Sequence, residues 1–369
     1  MTGRRFSGHL RGLIRLPVGL LMFLTASAAL ACSTVVLGSK DRAVVAYSFD
    51  YEETGEGFVF INPAHARRRS VMQGSPAEWA VRYGSVSFNQ LGPGMPAAGM
   101  NTQGLVVTLM WNNAVVYEQP TTEPVVNELE FIQRLLDQAA TVPQALEVAA
   151  EVDIDGIVPI HYFLADRSGR VAIITPSANG LEIRRSGDMP VPALTNNSYS
   201  DLVGYMLSFS EFGGERKSPD AILPEGPDSQ QRFVIAARSA AEFEEQVEPE
   251  QGFDVLDRLA GDETRWQIVF DPTANAVNFR ISGRKVTQRL DFTDLNFDCQ
   301  RLPLSAQLDG GNGADFLSRL TPVDPALVTA TTHTVLASLS DVTGMGPDVA
   351  KGLTMGLLAS LKCEDPEGR

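Results

Sequence analysis

Histidine and cysteine are both rare in this 369-residue chain, which has four of the first and three of the second. His9 lies near the start, leaving His65, His161 and His333 for the rest of the sequence. None of them falls into metal-ligand spacing with cysteine or carboxylate neighbours, so no metal centre is expected. A phosphate-binding glycine loop and a Gly-x-Ser-x-Gly nucleophile elbow are also missing, which removes P-loop chemistry and the α/β-hydrolase type of serine catalysis. Positive charge is in deficit: 30 basic residues face 45 acidic ones, a net charge of −15. Such a field repels nucleic acid and anionic membrane surfaces, and neither is expected as a partner. Beyond the first 31 residues no apolar run approaches the length of a membrane-spanning helix.

The first 31 residues are different in kind. Arg4, Arg5, Arg11 and Arg15 precede an apolar stretch from Leu16 to Leu24, and Ala29-Leu30-Ala31 closes the segment with the small-x-small pattern that signal peptidases cut. Residues 1–31 therefore read as a signal peptide, and residues 32–369 as one exported domain in the periplasm or outside the cell. Removing four arginines would leave 26 basic against 45 acidic residues, a net charge of −19. Cleavage would also make Cys32 the first residue, with a thiol and a free α-amino group on the same position. A rival reading makes Cys32 a lipid anchor. Lipoprotein leaders, however, favour a leucine-like residue at −3 and a small one at −2, the reverse of Ala29 and Leu30. Three cysteines in an exported chain imply one free thiol. Cys299 and Cys363 could pair with each other, but spacing alone does not decide it.

Ser33–Leu37 and Ala43–Phe49 are β-branched and aromatic runs around the turn-rich Gly38-Ser39-Lys40-Asp41, a hairpin pattern. A turn centred near residues 40 and 41 brings Cys32 opposite Phe49 or Asp50, so a carboxylate lies beside the new N-terminus. Further strands are expected over Gly57–Ile61, Val86–Gln90, Leu105–Trp111, Ile160–Ala165, Val171–Thr175 and Leu181–Arg184. Helical periodicity covers Val126–Ala140 and Val142–Glu151, and further helices are expected over Asp228–Val247, Gly252–Leu259, Ala326–Leu336 and Pro347–Leu361. Glu211–Gly226 reads as a loop and Leu304–Gly313 as a flexible connection. Paired helices between groups of strands point to an α+β layered fold.

A thiol attacks an amide as thiolate, and a free cysteine is mostly protonated at neutral pH. An α-amino group, with a pKa near 7.7–8.0, is partly neutral there and can take the proton. That is how N-terminal nucleophiles are activated. A Cys–His protease pairing would need His161 to face Cys32. His161 sits in the apolar run Ile160-His161-Tyr162-Phe163 and reads instead as a buried strand residue. Tyr83, Phe88, Met110 and Trp111 would suit an apolar acyl pocket, although such residues are more often core. Glu52, Glu53 and Glu56 form a small acidic patch that reads as a solvated face.

Several blocks together resemble the choloylglycine hydrolase family, which groups penicillin V acylases, conjugated bile salt hydrolases and related linear-amide hydrolases. The series begins with Cys32-Ser33-Thr34-Val35-Val36, Tyr47-Ser48-Phe49-Asp50-Tyr51 and Gly57–Asn62. It continues through Gly99–Leu105, His161–Asp166 and Val191–Asn197, then Gln231–Val234 and Trp266–Asp271. The resemblance runs over residues 32–285 and fades beyond. It implies a four-layer αββα sandwich of the N-terminal nucleophile hydrolase type and needs no cofactor. It also implies Cys32 as nucleophile, Asp50 as the carboxylate orienting the α-amino group, and Asn101 and Asn196 as oxyanion donors. Arg232 matches an arginine able to pair with Asp50 or with the developing charge. One position departs from the pattern. The family carries an arginine three residues before the aspartate, and this chain has Tyr47, which supplies neither the charge nor the fork of donors. Tyr47, Tyr83, Phe88 and Trp111 are the residues expected to bind substrate. The reaction implied is hydrolysis of a small-molecule linear amide. Penicillin V-like and N-acyl homoserine lactone-like amides are favoured over bile salts. An acyltransferase on the same scaffold and a lipid-anchored acyl-binding protein are the alternatives. Family members often assemble as dimers or tetramers, so a homo-oligomer is expected.

Overall fold

A computed structural model describes residues 32–39, 42–51, 55–119, 124–217, 226–282, 284, 286–299, 302–308 and 315–363. The 1–31 segment, Glu52 and Glu53 lie outside the described residues. From Cys32 the chain enters the hairpin β1 (Ser33–Ser39) and β2 (Arg42–Asp50). It continues through β3 (Phe58–Asn62), β4 (Ala66–Arg69), β5 (Glu78–Val81), β6 (Ser85–Asn89), β7 (Pro96–Asn101) and β8 (Val106–Trp111). A short β9 (Val125–Val126) leads to α1 (Glu128–Gln138) and α2 (Val142–Ala149). After β10 (Asp153–Ile154) come β11 (Ile160–Ala165), β12 (Val171–Ser177), β13 (Gly180–Arg185) and β14 (Ala193–Leu194). Helices α3 (Tyr199–Met206), α4 (Ser229–Glu242) and α5 (Pro249–Leu259) precede β15 (Thr264–Asp271), β16 (Ala276–Ile281) and β17 (Gln288–Asp291). The chain closes with β18 (Leu304–Gln307), β19 (Thr321–Pro322), α6 (Pro325–Ser338), α7 (Ser340–Thr343), α8 (Ala350–Ser360) and β20 (Leu361–Cys363).

The strands assemble into two large antiparallel sheets. The first runs β14-β1-β2-β15-β16-β17, and the second runs β13-β12-β11-β8-β7-β6-β3-β18-β19. Apolar residues on their inner faces stack the sheets into one core. The Phe88 ring from the second sheet meets Phe270 and Phe279 from the first, edge-on, at 6.1 and 5.2 Å between centroids. Thr34 and Thr108 hydroxyls bond across the same gap at 2.8 Å. Helices α4 and α5 cover the outside of the first sheet, and α1, backed by α2, covers the second. The result is the αββα sandwich.

Local chemistry explains where the helices begin. Asn127 caps α1 through the N–H groups of Leu129 and Glu130, and Glu130 returns a bond to the cap in a capping box. Thr141 caps α2, and Pro143 stands in its first turn. Asp228 and Gln231 form a second capping box that starts α4. The largest shifts of expected boundaries are in α4, which ends at Glu242 rather than Val247, in α5, which begins at Pro249 rather than Gly252, and in α8, which begins at Ala350 rather than Pro347.

One connection is corrected. Leu304–Gly313, expected to be flexible, contains β18, which pairs with β3 from Leu304↔Ile61 to Gln307↔Phe58. Leu-Ser-Ala-Gln carries little intrinsic strand preference, so its strand character comes from the open edge of β3 that it covers. The Glu211–Gly226 loop starts in a 3₁₀ turn over Ser210–Phe212, and its residues 218–225 lie outside the described residues. The C-terminal tail is fastened in two ways: β20 pairs with β4, and Cys299 and Cys363 form a disulfide, which leaves Cys32 as the free thiol.

Candidate active site

The β1–β2 hairpin pairs Ser33 with Ser48 and Thr34 with Tyr47. One residue further along that register, Cys32 stands opposite Phe49, and its thiol lies 4.0 Å from the Asp50 carbonyl oxygen. Opposed residues in an antiparallel pair share a face, so Cys32, Thr34, Tyr47 and Phe49 look into the gap between the sheets. Ser33, Ser48 and Asp50 look the other way, toward α4. The strand period thus divides the hairpin into a nucleophile side and a charge side.

On the charge side, Arg232 enters from the first turn of α4, one residue after the capping box. Its Nε donates to Ser33 Oγ at 2.9 Å, Nη1 to the Pro227 carbonyl at 3.0 Å and Nη2 to Asn196 Oδ1 at 2.9 Å. Asn196 is delivered by β14, which pairs with β1 through Thr34↔Leu194. Its backbone N–H donates to Ser229 Oγ at 2.9 Å, and Thr195 Oγ1 donates to the Ser229 carbonyl at 2.9 Å. With Oδ1 held by the guanidinium, the Asn196 amide NH₂ is turned away from it. Asp50 ends β2 opposite Thr264, where β15 makes a bulge between Thr264 and Trp266. Bulges commonly re-aim a side chain beside a site. Here the bulge sets a hydroxyl next to the carboxylate.

These groups are almost fully shielded: Cys32 is 0%, Tyr47 0%, Asp50 2% and Arg232 5% exposed. Burial pushes the Cys32 thiol up to about 12, the neighbouring Asp50 charge adding to the effect. Burial also raises Asp50 to about 6, while the Arg232 charge pulls it back down. The Arg232 guanidinium is itself lowered by desolvation and supported by Asp50. Asp50 Oδ1 and the Tyr47 hydroxyl are buried without a hydrogen-bond partner. In the uncut chain the Cys32 nitrogen belongs to a peptide bond, and a thiol at about 12 is inert at neutral pH.

Cys32, Asp50, Asn196 and Arg232 are brought together, with Tyr47 facing the thiol. Asn101 is a correction. Its Nδ2 donates to the Leu136 and Ala139 carbonyls at 2.8 and 2.7 Å, and its Oδ1 accepts from the Gln103 and Leu105 N–H groups, both at 3.0 Å. Both donors and both lone pairs are spent on the end of α1 and the β7–β8 turn, so nothing remains for an oxyanion. Phe88 is also corrected: it is a fully buried core ring between the sheets. Tyr83 sits in the β5–β6 turn, where its N–H donates to the Asp137 carbonyl near the end of α1. Trp111 ends β8 opposite Ile160 and donates through Nε1 to Asn113 Oδ1 at 2.6 Å. Met110 packs under β1, its sulfur accepting from Thr34 Oγ1 at 3.3 Å.

His161 does not face Cys32. Its Nε2 lies 2.8 Å from the Thr195 carbonyl and Nδ1 3.2 Å from Asn112 Nδ2. Those partners fix the tautomer: Nε2–H donates and Nδ1 accepts. Burial lowers the ring to about 4, so it is neutral at physiological pH. It ties β11 to the residue before Asn196. Sequence reasoning missed Ser33, Thr264 and Ser229, which hold Arg232, Asp50 and Asn196 in place. Small hydroxyls carry no pattern of their own, and only the three-dimensional contacts reveal them. Among the described residues no group of three or more His, Cys, Asp or Glu could hold a metal ion, and no helix is long and apolar enough to cross a membrane.

Known proteins resemble the chain in sequence and in fold. Residues 32–204 match the model of linear amide C–N hydrolases, choloylglycine hydrolase family. Penicillin V acylase of Pectobacterium atrosepticum is 26% identical in an alignment 211 positions long, which covers 49% of this chain and 56% of that protein. The chain thus matches little more than half the length of that curated relative. The structure of penicillin V acylase from Agrobacterium tumefaciens superposes with a TM-score of 0.67 at 21% identity, covering 80% of this chain and 98% of that one. A variant of conjugated bile acid hydrolase from Clostridium perfringens gives 0.60 at 16% identity, covering 73% and 95%. Both superpositions support the fold.

Proposed function

We propose that the chain, whose residues 32–204 match the model of linear amide C–N hydrolases of the choloylglycine hydrolase family, is an exported amide hydrolase acting through an N-terminal Cys32. The observation that carries the reading is the convergence of a buried free thiol, Asp50, Arg232 and Asn196 at the start of β1. Removal of residues 1–31 would place an α-amino group beside the sulfur and within reach of the unpaired Asp50 Oδ1. That amine takes the thiol proton, and the thiolate adds to the substrate carbonyl carbon. Oxyanion charge is met by the Asn196 NH₂, oriented by Arg232. The ammonium then protonates the departing amine as the C–N bond breaks. In the second half the amine deprotonates water, which attacks the thioester and frees the acid and the thiol. Asp50 keeps the ammonium form accessible, and Arg232 keeps Asp50 ionised.

Tyr47 provides one hydroxyl toward the thiol where the resembling family has an arginine. Among the described residues the site therefore has no second guanidinium for a substrate anion, which favours amides whose amine part carries no carboxylate or sulfonate. Neutral phenoxyacetyl amides and N-acyl homoserine lactones meet that description, and glycine- or taurine-conjugated bile salts are disfavoured. A lipid on Cys32 would have to leave a sulfur that is fully buried, which weighs against anchoring.

The test is turnover of a phenoxyacetyl amide and a hexanoyl homoserine lactone by processed protein, with intact mass to fix its first residue. Unmodified Cys32 at the N-terminus and loss of turnover in Cys32→Ala and Asp50→Asn are expected. A lipid adduct, or full activity in Cys32→Ala, would sink the proposal.

A further inference from the structure

On the nucleophile side of the hairpin, with Phe49 rather than Cys32 in its lining, lies a cavity of about 80 Å³. Phe49, the residue across from Cys32, forms one wall together with Leu109 and Ile160. The opposite wall is contributed by the C-terminal segment, through Leu336 and Leu339 and Met345. The cavity continues into an outer groove of about 740 Å³ that shares Leu336 and Met345 and runs along α8. Among the described residues no lysine, arginine or histidine lines either space, whereas Glu128, Asp155 and Asp348 do.

The wall formed by the tail is fixed in place rather than loosely apposed. Tyr51, at the end of β2, bonds the Ser338 hydroxyl at the end of α6. Val335, Leu336 and Val328 are buried in α6, and Leu357 is buried in α8. Beyond them β20 pairs with β4, and the Cys299–Cys363 disulfide closes the segment onto the body. Residues 325–363 therefore form a strap whose inner face completes a cavity that the two sheets leave open.

We infer that this strap is the specificity element of the enzyme, and that its cavity takes an uncharged, unbranched aliphatic acyl chain whose carbonyl reaches Cys32. The inference rests on the amide-hydrolase reading above. The lining is apolar, so each methylene seated should improve kcat/KM by about four-fold, following a transfer free energy of about 0.8 kcal/mol per buried CH₂. The acidic groups along the groove, with no cation to offset them, reject acyl groups ending in carboxylate or sulfonate.

The experiment measures kcat/KM on N-acyl homoserine lactones from butanoyl to dodecanoyl, using processed wild-type protein and the variants Leu336→Trp and Met345→Trp. Expected is a rise with chain length in the wild type, and at least a ten-fold fall in the dodecanoyl-to-butanoyl ratio in each variant, carried by KM. A ratio unchanged in both variants overturns the inference, even with wild-type turnover intact. Decanamide binding to Cys32→Ala protein, read by calorimetry, separates the two levels. If the wild type hydrolyses no amide but Cys32→Ala binds decanamide, and adding Leu336→Trp abolishes that binding, the cavity assignment stands and the catalytic reading falls. If Cys32→Ala fails to bind decanamide while the wild type shows no chain-length preference, the cavity assignment falls alone.

Discussion

Replacing Arg232 by methionine tests the charge side of the site. The guanidinium donates three hydrogen bonds, to Ser33, Pro227 and Asn196, and faces the buried Asp50 carboxylate. Methionine fills similar volume but leaves three acceptors and one carboxylate without their partner. Removing one member of a buried charged pair costs about 3–5 kcal/mol, and the lost hydrogen bonds belong to the same network, so they do not add in full. The variant should therefore lose about 3–5 kcal/mol of unfolding free energy at pH 8. The pH dependence gives the sharper check. Asp50 is raised from 3.8 to about 6, and the Arg232 charge is the largest influence holding it down. A carboxyl with a raised pKa binds its proton more tightly folded than unfolded, so its contribution to stability falls as pH rises through that window. Without Arg232 the pKa rises further, and protonation at pH 5 relieves the unpaired charge. The stability deficit should thus be smaller at pH 5 than at pH 8, by urea unfolding with an unchanged m-value. In Arg232→Lys, which keeps the charge but loses the fork, the acid limb of kcat/KM should move up by less than in the methionine variant. An equal deficit at both pH values would refute the coupling between Arg232 and Asp50.

Asn101→Ala should lower stability by about 2–4 kcal/mol, because four partners, three of them buried, lose their bonds, while the kcat of the folded protein changes less than ten-fold. A thousand-fold kcat loss with normal stability would restore an oxyanion role for Asn101. His161→Phe, which removes the tie to the Thr195 carbonyl, should lower kcat more than it raises KM, and His161→Gln should recover part of it. An unchanged kcat in both would show that β14 holds Asn196 unaided. Opening the disulfide by Cys363→Ser should make the 325–363 segment the first site of limited proteolysis. By loop-closure entropy over 64 residues of separation, the bond is worth at most about 4 kcal/mol. Unaltered cleavage kinetics would mean that β20 and α6 suffice to hold the strap. Gly57→Ala should destabilise the body, since the added methyl would lie 2.4 Å from the Trp266 ring, itself stacked on Phe49 at 4.3 Å. Normal expression and melting temperature would refute that packing.

What the sequence made legible was local and periodic. The Cys32 hairpin declared itself through a turn-rich tetrad between two β-branched runs, and its register follows from turn position alone. Helices α1 and α2 showed 3.6-residue periodicity, with Pro143 in the first turn of α2. The strands that escaped are those whose character comes from their neighbours. β18 is a strand because it covers β3, and β4, Ala-Arg-Arg-Arg, pairs with β5 and β20 in a small sheet. The site divided along the same line. Cys32 and Asp50 lie on one hairpin and could be joined by register, whereas Asn196 and Arg232 entered only through a family resemblance. Asn101 came through the same resemblance and failed, because Asn in a Gly-Met-Asn-Thr-Gln-Gly block looks the same whether its amide meets substrate or the end of a helix. The cavity was least legible of all, since its two walls come from β2 and β8 on one side and from residues some 200 positions away on the other.

The placement of the strap after the last strand of the two large sheets bears on how such an enzyme can change. Every group that handles the thiol lies on or beside a strand with fixed register or on a capped helix. A one-residue insertion within β1, β2 or β15 would turn side chains to the wrong face. Residues 325–363 carry no such obligation: lengthening α7, trimming α6 or exchanging Met345 leaves each catalytic register where it was. Divergence in substrate preference can therefore accumulate in a segment outside the two sheets as separate small steps, each exposed to selection without first passing through a broken active site.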